Sequence, residues 1–225
     1  MRRVLYITPF GSLQGGGQRS LYLLLKYLDK ERFKAFLIVP DKDELYEEAE
    51  KLGVKVFVLA FPRLRSFKIF SCVYSLIKLC KIAEKEEISL IDTDSPREAF
   101  YAFLASKLFG IPAVFHARVS DSFLWLDRIL YRLAGRIITV SQAVAERFNK
   151  IDKMNKIRVI YNSAELDIFD PELRVNKRKD KFILGYFGRI DRRKCIETAV
   201  NAVKMTKKDL EFIIMGKGTA SIWKN

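Results

Sequence analysis

The sequence predicts an α/β protein, a doubly wound parallel sheet followed by the opening of a second domain built the same way. Three observations carry this expectation. Short runs rich in β-branched and aromatic residues alternate with segments whose apolar residues recur every three or four positions. A glycine-rich stretch, GSLQGGGQRSL, stands between the first such run and the first such segment. The alternation then breaks in a charged stretch, DPELRVNKRKDK, and restarts at Phe182.

Taken in order, RVLYITPF is a first buried strand. From Gln18 to Lys30, Leu21, Leu24, Leu25 and Leu28 fall at helical spacing. KAFLIVP is a second strand, halted by Pro40, and Leu45, Ala49 and Leu52 line a helix that stops at Gly53. VKVFVLA is a third strand, followed by a long helix from about Phe67 to Lys85 and the strand ISLID. Ser95 and Pro96 have the chemistry of an N-cap and a first helical residue, and that helix runs to Gly110. The strand PAVFHA, a helix over roughly Phe123 to Ala134, the strand RIITV, a helix capped by Ser141 and the strand KIRVIYN complete the first domain. Such alternation implies a parallel sheet covered on both faces with right-handed crossovers. After the break, strand FILGYFG, a helix near Lys194 to Lys204 and strand LEFIIMG form one further βαβ unit. The expected organisation is therefore a domain over residues 1–168, a linker over 169–181, and an incomplete second domain over 182–225.

Composition narrows the class. Hydrophobic residues make up 49% of the 225 residues, enough for a packed core and against global disorder. Lys and Arg number 41 against 27 Asp and Glu, a formal charge of +14, and such a field attracts polyanions. No zinc-ligand spacing, Arg-rich run or RNA-binding aromatic box accompanies it, so nucleic acid is not expected as a partner. Nucleotide phosphates and anionic lipid headgroups remain. The cysteines, Cys72, Cys80 and Cys195, are odd in number and widely spaced. The N-terminal MRRVLYITPF is too short in apolar residues for a secretory core, and no stretch is apolar enough to span a bilayer. Together these point to the reducing cytoplasm.

Two turns carry candidate chemistry. Gly15, Gly16 and Gly17 precede the first helix, where backbone amides can approach an anion. The dinucleotide fingerprint fits poorly, because GSLQ intervenes after Phe10 and the third position is Ser20. A longer loop that closes over a ligand suits these residues better than a tight NAD turn. The turn GRIDRRK places Arg189 and Lys194 five residues apart across a strand-to-helix connection. A guanidinium fork and an ammonium there could hold a diphosphate above the helix N-terminus; a solvated basic turn is the plainer alternative. The lone histidine, His116, ends the fifth strand, at the sheet edge where ligands bind. Asp92, Asp94 and Asp121 also fall at strand ends, where a helix cap or a solvated loop is the plainer role. The helix containing Lys78 and Lys81 with Phe70, Tyr74 and Ile77 is either core-facing with lysines outward or a basic amphipathic surface for an anionic membrane.

At this point the residues resemble a family. GGGQRSLYLLLKYLD, GIPAVFHAR, AGRIITVSQAVAERF, VIYNSAELDIFDP and GYFGRIDRRKCIETAVNAV occur in the order seen in family 4 glycosyltransferases, retaining enzymes with two Rossmann-like domains in the GT-B arrangement. The resemblance implies a Rossmann-like N-terminal domain that faces the acceptor and a nucleotide-sugar-binding C-terminal domain. It implies that Arg189 and Lys194 bind the donor diphosphate, that the loop at Gly15, Gly16 and Gly17 lies near phosphates and acceptor, and that His116 faces the reacting sugar as the catalytic candidate. It implies a UDP- or GDP-linked donor, a glycan or lipid-linked acceptor, a role in polysaccharide biosynthesis, and no metal or other cofactor. Two departures stand out. Cys195 replaces the glycine that usually follows the lysine, and NSAELDIF replaces a more usual Asn-Gly-Val-Asp. The family's later pair of glutamates, separated by seven residues, does not occur before Asn225, so the expectation is a truncated, weakly active or inactive form on the cytoplasmic side of a membrane. The competing expectations are a non-catalytic acceptor- or membrane-binding fragment and, on the strength of Asp41 after the second strand, a nicotinamide dehydrogenase.

Overall fold

The computed structural model describes residues 1–63, 69–119, 124–170, 182–191, 194–206 and 209–218. These divide into two compact units, Met1–Ala164 and Glu165–Asn225. The division falls four residues before the 168/169 boundary expected above. Residues 171–181 of the expected linker lie outside the described residues.

In the first unit seven parallel strands form one sheet: β1 (Arg2–Ile7), β2 (Phe33–Val39), β3 (Lys55–Val58), β4 (Leu90–Thr93), β5 (Ala113–Ala117), β6 (Arg136–Thr139) and β7 (Ile157–Val159). Their spatial order is β3-β2-β1-β4-β5-β6-β7. The helices are α1 (Gly16–Lys26), α2 (Glu44–Lys51), α3 (Ile69–Lys85), α4 (Pro96–Phe109), α5 (Leu124–Leu133) and α6 (Gln142–Glu146). This is the doubly wound architecture the alternation predicts. The sheet builds out from β1 in both directions, so the order reverses between β1 and β4.

Successive residues of a strand face opposite ways, and the burial follows that rule. Val4, Tyr6, Leu37 and Val39 pack with Leu21 and Leu25 of α1 and Leu45 and Ala49 of α2. Leu5, Ile7, Phe36, Ile38, Ile91 and Phe115 face the other way, against Leu79 and Ala83 of α3 and Ala99, Tyr101 and Phe103 of α4. Burial on both faces explains why these strands read as continuous apolar runs.

Local signals set most element ends. Gly53 (φ +78°) and Gly110 (φ +66°) take the left-handed conformation just past α2 and α4. The Ser141 hydroxyl accepts the Val144 N–H at 3.2 Å, the cap expected for α6. Ser95 occupies the N-cap of α4 with Pro96 behind it, but its side chain caps no backbone N–H. Its hydroxyl instead contacts the Glu98 carboxylate. The first helix differs from expectation at both ends. It starts at Gly16, and it stops at Lys26 rather than Lys30. The stop is chemical: the Asp29 carboxylate accepts the Glu31 and Arg32 N–H groups, each at 3.1 Å, and turns the chain into β2.

The second unit contains two parallel strands, β8 (Phe182–Phe187) and β9 (Leu210–Met215), joined through α7 (Ile196–Met205). Ile196 is its buried apolar anchor.

Candidate active site

Ligands of open parallel sheets bind at the C-terminal strand ends where the strand order reverses. In the first unit that place lies after β1 and β4, and it is densely polar. The register pairs Tyr6 with Asp92 and Asp92 with Val114, so these share one face, and two residues on come Thr8, Asp94 and His116. Arg118 follows two residues after His116. The structure links them in a chain. Gln18 donates to the Thr8 hydroxyl at 3.4 Å, and that hydroxyl donates to Asp94 Oδ2 at 3.4 Å. Arg118 Nε stands 3.4 Å from the same Oδ2, with side chains only 11% (Arg118) and 6% (Asp94) exposed.

Several atoms of this cluster are buried without a hydrogen bond: Asp94 Oδ1, His116 Nε2, and Arg118 Nε and Nη1. The Arg118–Asp94 contact is thus an ion pair by distance whose N–H vectors do not align on the carboxylate. Buried polar groups are ordinarily paired with protein or with ordered water, and unpaired ones concentrated at one sheet edge make that edge the candidate site.

Electrostatics sharpen the picture. Burial, then the Arg118 charge, lowers the His116 pKa to about 3, so its ring is neutral at neutral pH. A neutral imidazole can hydrogen-bond a hydroxyl but brings no positive charge to a phosphate. Burial raises Asp92 to about 7, assisted by Asp94 and opposed by Arg118. Burial likewise raises Asp94 to about 6, opposed by Arg118 and the Thr8 hydroxyl.

The glycine-rich turn is firmly placed beside this cluster. Gly15 is the N-cap of α1 in extended conformation, and Gly16 and Gly17 form its first turn. A Cβ on Gly15 would collide with the Gln18 amide, and one on Gly17 would lie 3.0 Å from Arg118 Cδ. Nothing lies within 4 Å of a Cβ built on Gly16. The preceding loop is tied to the start of α2: Leu13 N–H donates to Glu44 Oε2 at 3.0 Å, and Leu45 N–H to the Gly11 carbonyl at 2.7 Å. The loop is thus anchored at both ends. Asn162 accepts from the Ser20 hydroxyl at 2.9 Å, fixing the segment after β7 to α1.

In the second unit Arg189 and Lys194 occupy the β8–α7 connection and both are exposed. Gly188 leaves β8 with φ +156°, its N–H bonded to the Met215 carbonyl at 3.0 Å. The Arg189 side chain is 58% exposed and its Nη2 lies 3.4 Å from Asp191 Oδ2. The Lys194 N–H closes the turn onto the Asp191 carbonyl at 3.0 Å. Cys195, the N-cap of α7, adopts φ 50°, ψ 40°. That left-handed geometry explains the family's glycine at this position. Arg192 and Arg193 lie outside the described residues, as does Asp121.

The structure therefore gathers His116 and Gly15–Gly17 at one edge, and places Arg189 and Lys194 in one turn of the other unit. It adds Arg118, Thr8 and Gln18, which were not singled out from sequence. The signal was available: the period of two in His116-Ala117-Arg118 and in Asp92-Thr93-Asp94 puts both members of each pair on one face. Among the described residues no group of three or more His, Cys, Asp or Glu side chains is placed to hold a metal ion.

Comparison with known proteins gives the family. Residues 14–168 match the family described as Glycosyltransferase Family 4. The UDP-Gal:α-D-GlcNAc-diphosphoundecaprenol α-1,3-galactosyltransferase of Escherichia coli is 28% identical over 189 residues, 77% of this chain and 48% of that protein. The capsular polysaccharide biosynthesis glycosyltransferase CapM of Staphylococcus aureus is 22% identical over 204 residues, 80% of this chain and 52% of that protein. The chain thus spans about half the length of the curated relatives it matches. Among solved structures, Anabaena HepE in complex with UDP superposes with a TM-score of 0.76 at 19% identity, covering 99% of this chain and 63% of that one. A glycosyltransferase from Rickettsia africae gives 0.77 at 20%, covering 96% and 60%. These structural likenesses establish the Rossmann-like fold of the GT-B transferases. On the family match over most of its length, the chain belongs to glycosyltransferase family 4.

Proposed function

We propose that this chain serves the transfer of a sugar from a UDP- or GDP-linked donor to a glycan or lipid-linked acceptor, with retention of anomeric configuration. In this reading Arg189 and Lys194 hold the donor diphosphate. Their charge opposes the negative charge that develops as the nucleoside diphosphate departs. His116, neutral and half-buried, hydrogen-bonds a sugar hydroxyl and is the catalytic candidate. Gly15–Gly17 let the first turn of α1 come close to the ligand without side chains in the way. The observation that carries the reading is the set of unpartnered buried polar atoms at the strand-order reversal of a family 4 domain. The bacterial relatives that handle a UDP-galactose donor with a diphosphoundecaprenol-linked acceptor, or a capsule, support polysaccharide biosynthesis as the setting.

The test offers UDP-[3H]galactose, UDP-[3H]glucose and GDP-[3H]mannose to the protein with membranes carrying lipid-linked N-acetylglucosamine. A low yield of label is expected in the lipid fraction from one donor, lost in Arg189→Ala, with an α-linkage by NMR. Label that stays water-soluble with every donor overturns the reading.

A membrane setting has its own support. No helix among the described residues is long and apolar enough to cross a bilayer. On α3, however, Phe70 (89% exposed), Tyr74 and Ile77 stand in water beside Lys78 and Lys81. Phe70, Tyr74 and Lys78 line an open groove of about 750 Å³ with Phe61 and Pro62. We read this face as a peripheral contact with the anionic cytoplasmic leaflet, at about 1 kcal/mol per well-placed cation. Vesicles rich in phosphatidylglycerol should retain the protein at low salt and release it as salt rises. Equal retention by neutral vesicles removes this part of the proposal.

A further inference from the structure

We propose that the groove between α5 and the turn before β7 is a separate anion site, which binds a solute carrying a chain of phosphates at the opposite end of the sheet from the candidate active site.

The groove is built from segments that lead into strands. Arg128 and Arg132 lie in the second half of α5, which runs on into β6, and Lys150 and Lys153 lie between α6 and β7. All four are exposed, and with Tyr131 they line one open groove of about 460 Å³. Small-molecule sites have volumes of that order. Arg128 and Arg132 are four residues apart on the helix, so they share a face, and like charges at that spacing repel. Among the described residues none of the four cations has an ion-pair partner. The groove therefore gathers four charges that only a ligand or salt can neutralise.

The two walls are tied together. The Tyr131 hydroxyl donates to Asp152 Oδ1 at 2.9 Å and accepts the Met154 N–H at 2.8 Å, which fixes the turn to α5. The Lys156 N–H donates to the same Oδ1 at 2.9 Å, so the carboxylate of this turn is engaged in holding backbone. The end of α5 is also prepared for an anion. A helix C-terminus presents carbonyls that repel negative charge. Here Lys156 Nζ donates to the Tyr131 carbonyl at 3.1 Å and to the Ala134 carbonyl at 2.8 Å, and its ammonium offsets them. Burial, then the charges of Lys107 and Arg136, lowers the Lys156 pKa, opposed by Asp152. Lys107 of α4 and Arg136 of β6 thus extend the positive field around the same place.

Charge and position choose the ligand. Two guanidinium forks suit phosphate oxygens, and two ammonium groups add point charges on long stems. Four cations along one groove match several linked phosphates better than one. Position separates a solute from a bilayer. The helix after a parallel strand runs back from the C-terminal strand ends to the N-terminal ones. Phe70, Tyr74 and Lys78, assigned above to a membrane, lie in the first half of α3, near the C-terminal ends. Arg128 and Arg132 lie in the second half of α5, near the N-terminal ends. A bilayer against the α3 face stands at the other end of the sheet, so the phosphates that reach this groove are those of a solute.

The experiment uses the full 225-residue chain, labelled with 15N. Inorganic tripolyphosphate is titrated at moderate salt and the backbone amide resonances are followed. Orthophosphate serves as the single-phosphate probe, a glutamate decapeptide as the anion without phosphate, and phosphatidylglycerol vesicles as the lipid source. The groove variants are Arg128→Gln with Arg132→Gln, and Lys150→Gln with Lys153→Gln. Lys85→Gln with Lys204→Gln removes the same charge elsewhere. Tripolyphosphate should shift the amides of Arg128, Arg132, Lys150 and Lys153, and each groove pair should weaken that response at least tenfold. The control pair should change it less than twofold, and orthophosphate should bind at least tenfold more weakly. The site is overturned if the groove amides stay still or if the control pair weakens binding as much as the groove pairs. It is overturned too if the decapeptide shifts the same amides at the same concentration, or if the groove pairs lose vesicles while tripolyphosphate leaves the groove amides still. The amides of Arg189 and Lys194 report the diphosphate turn in the same spectra, so a silent groove leaves the transferase reading standing.

Discussion

The polar edge of the first unit and the basic turn of the second meet opposite physical demands. At the edge, Asp94, Arg118 and His116 are largely out of water, and Thr8 and Arg118 hold the Asp94 carboxylate. At the turn, Arg189 and Lys194 sit in solvent, and Asp191 stands against the Arg189 fork. The buried set offers direction and low mobility, which suits the discrimination of hydroxyls. The exposed set offers charge, which suits a diphosphate and is screened by salt. The difference teaches a general point: burial decides whether a charged side chain acts through its geometry or through its field.

That contrast can be broken most severely at the support of the buried edge. Arg147 clamps Asp127 and donates to the Val119 carbonyl at 3.0 Å, just past Arg118. The Asp127 and Arg147 side chains are 0% and 4% exposed. Asp127→Ala leaves a buried guanidinium without its counter-charge and should cost about 3–5 kcal/mol, measured by urea denaturation. A loss below about 1 kcal/mol, the range of exposed pairs, would mean that the edge is not the rigid element described.

A smaller effect is expected at the exposed turn. Cys195 holds a left-handed conformation at φ 50° that costs a side-chain-bearing residue about 1–2 kcal/mol. Cys195→Gly should relieve most of it and raise the stability of the second unit by about 1 kcal/mol, read by hydrogen exchange of the α7 amides. Unchanged or faster exchange contradicts the strained geometry.

The smallest predicted effect is a pH trend. Asp92 and Asp94 have folded pKa values of about 7 and about 6, above their unfolded 3.8. The folded state therefore binds more protons than the unfolded one between about pH 4 and 7, and this contribution to stability falls as pH rises through that window. His116, with a folded pKa of about 3 against 6.5, acts in the opposite sense between pH 3 and 6.5. In Asp92→Asn the net slope should turn upward relative to the parent chain over pH 4 to 7, measured as Tm against pH. Parallel curves for the two proteins would show that Asp92 is not desolvated.

The first domain was legible almost entirely from sequence, because a parallel sheet buried on both faces writes its strands as continuous apolar runs and its helices as a 3.6-residue period. The start of α1 was misplaced because two glycines in a helix's first turn look like loop. At Gly17 a side chain would crowd Arg118, its Cβ lying 3.0 Å from Cδ, so the glycine there answers a close approach and not a loop. The end of α1 was misplaced because Asp29 competes through side-chain acceptance, which an apolar period does not register. His116, Arg189 and Lys194 were singled out because their types are chemically loud at strand ends. Arg118 was passed over because its meaning lies in a partner from a different strand. That Asp94 pairs with it depends on β4 and β5 being neighbours, a long-range fact carried by topology and not by any local pattern.

The most direct test of the division between the two regions is a UDP titration at moderate salt. The parent chain is compared with Arg189→Ala, Lys194→Ala, Arg192→Ala, Arg193→Ala and Asp94→Asn. A charge-assisted contact is worth about 1.5–3 kcal/mol, and 1.4 kcal/mol is about tenfold in affinity. Arg189→Ala and Lys194→Ala should therefore each weaken UDP about tenfold or more, while Asp94→Asn should leave it within twofold. Equal losses for all four basic-residue variants, or a tenfold loss for Asp94→Asn, would contradict the account.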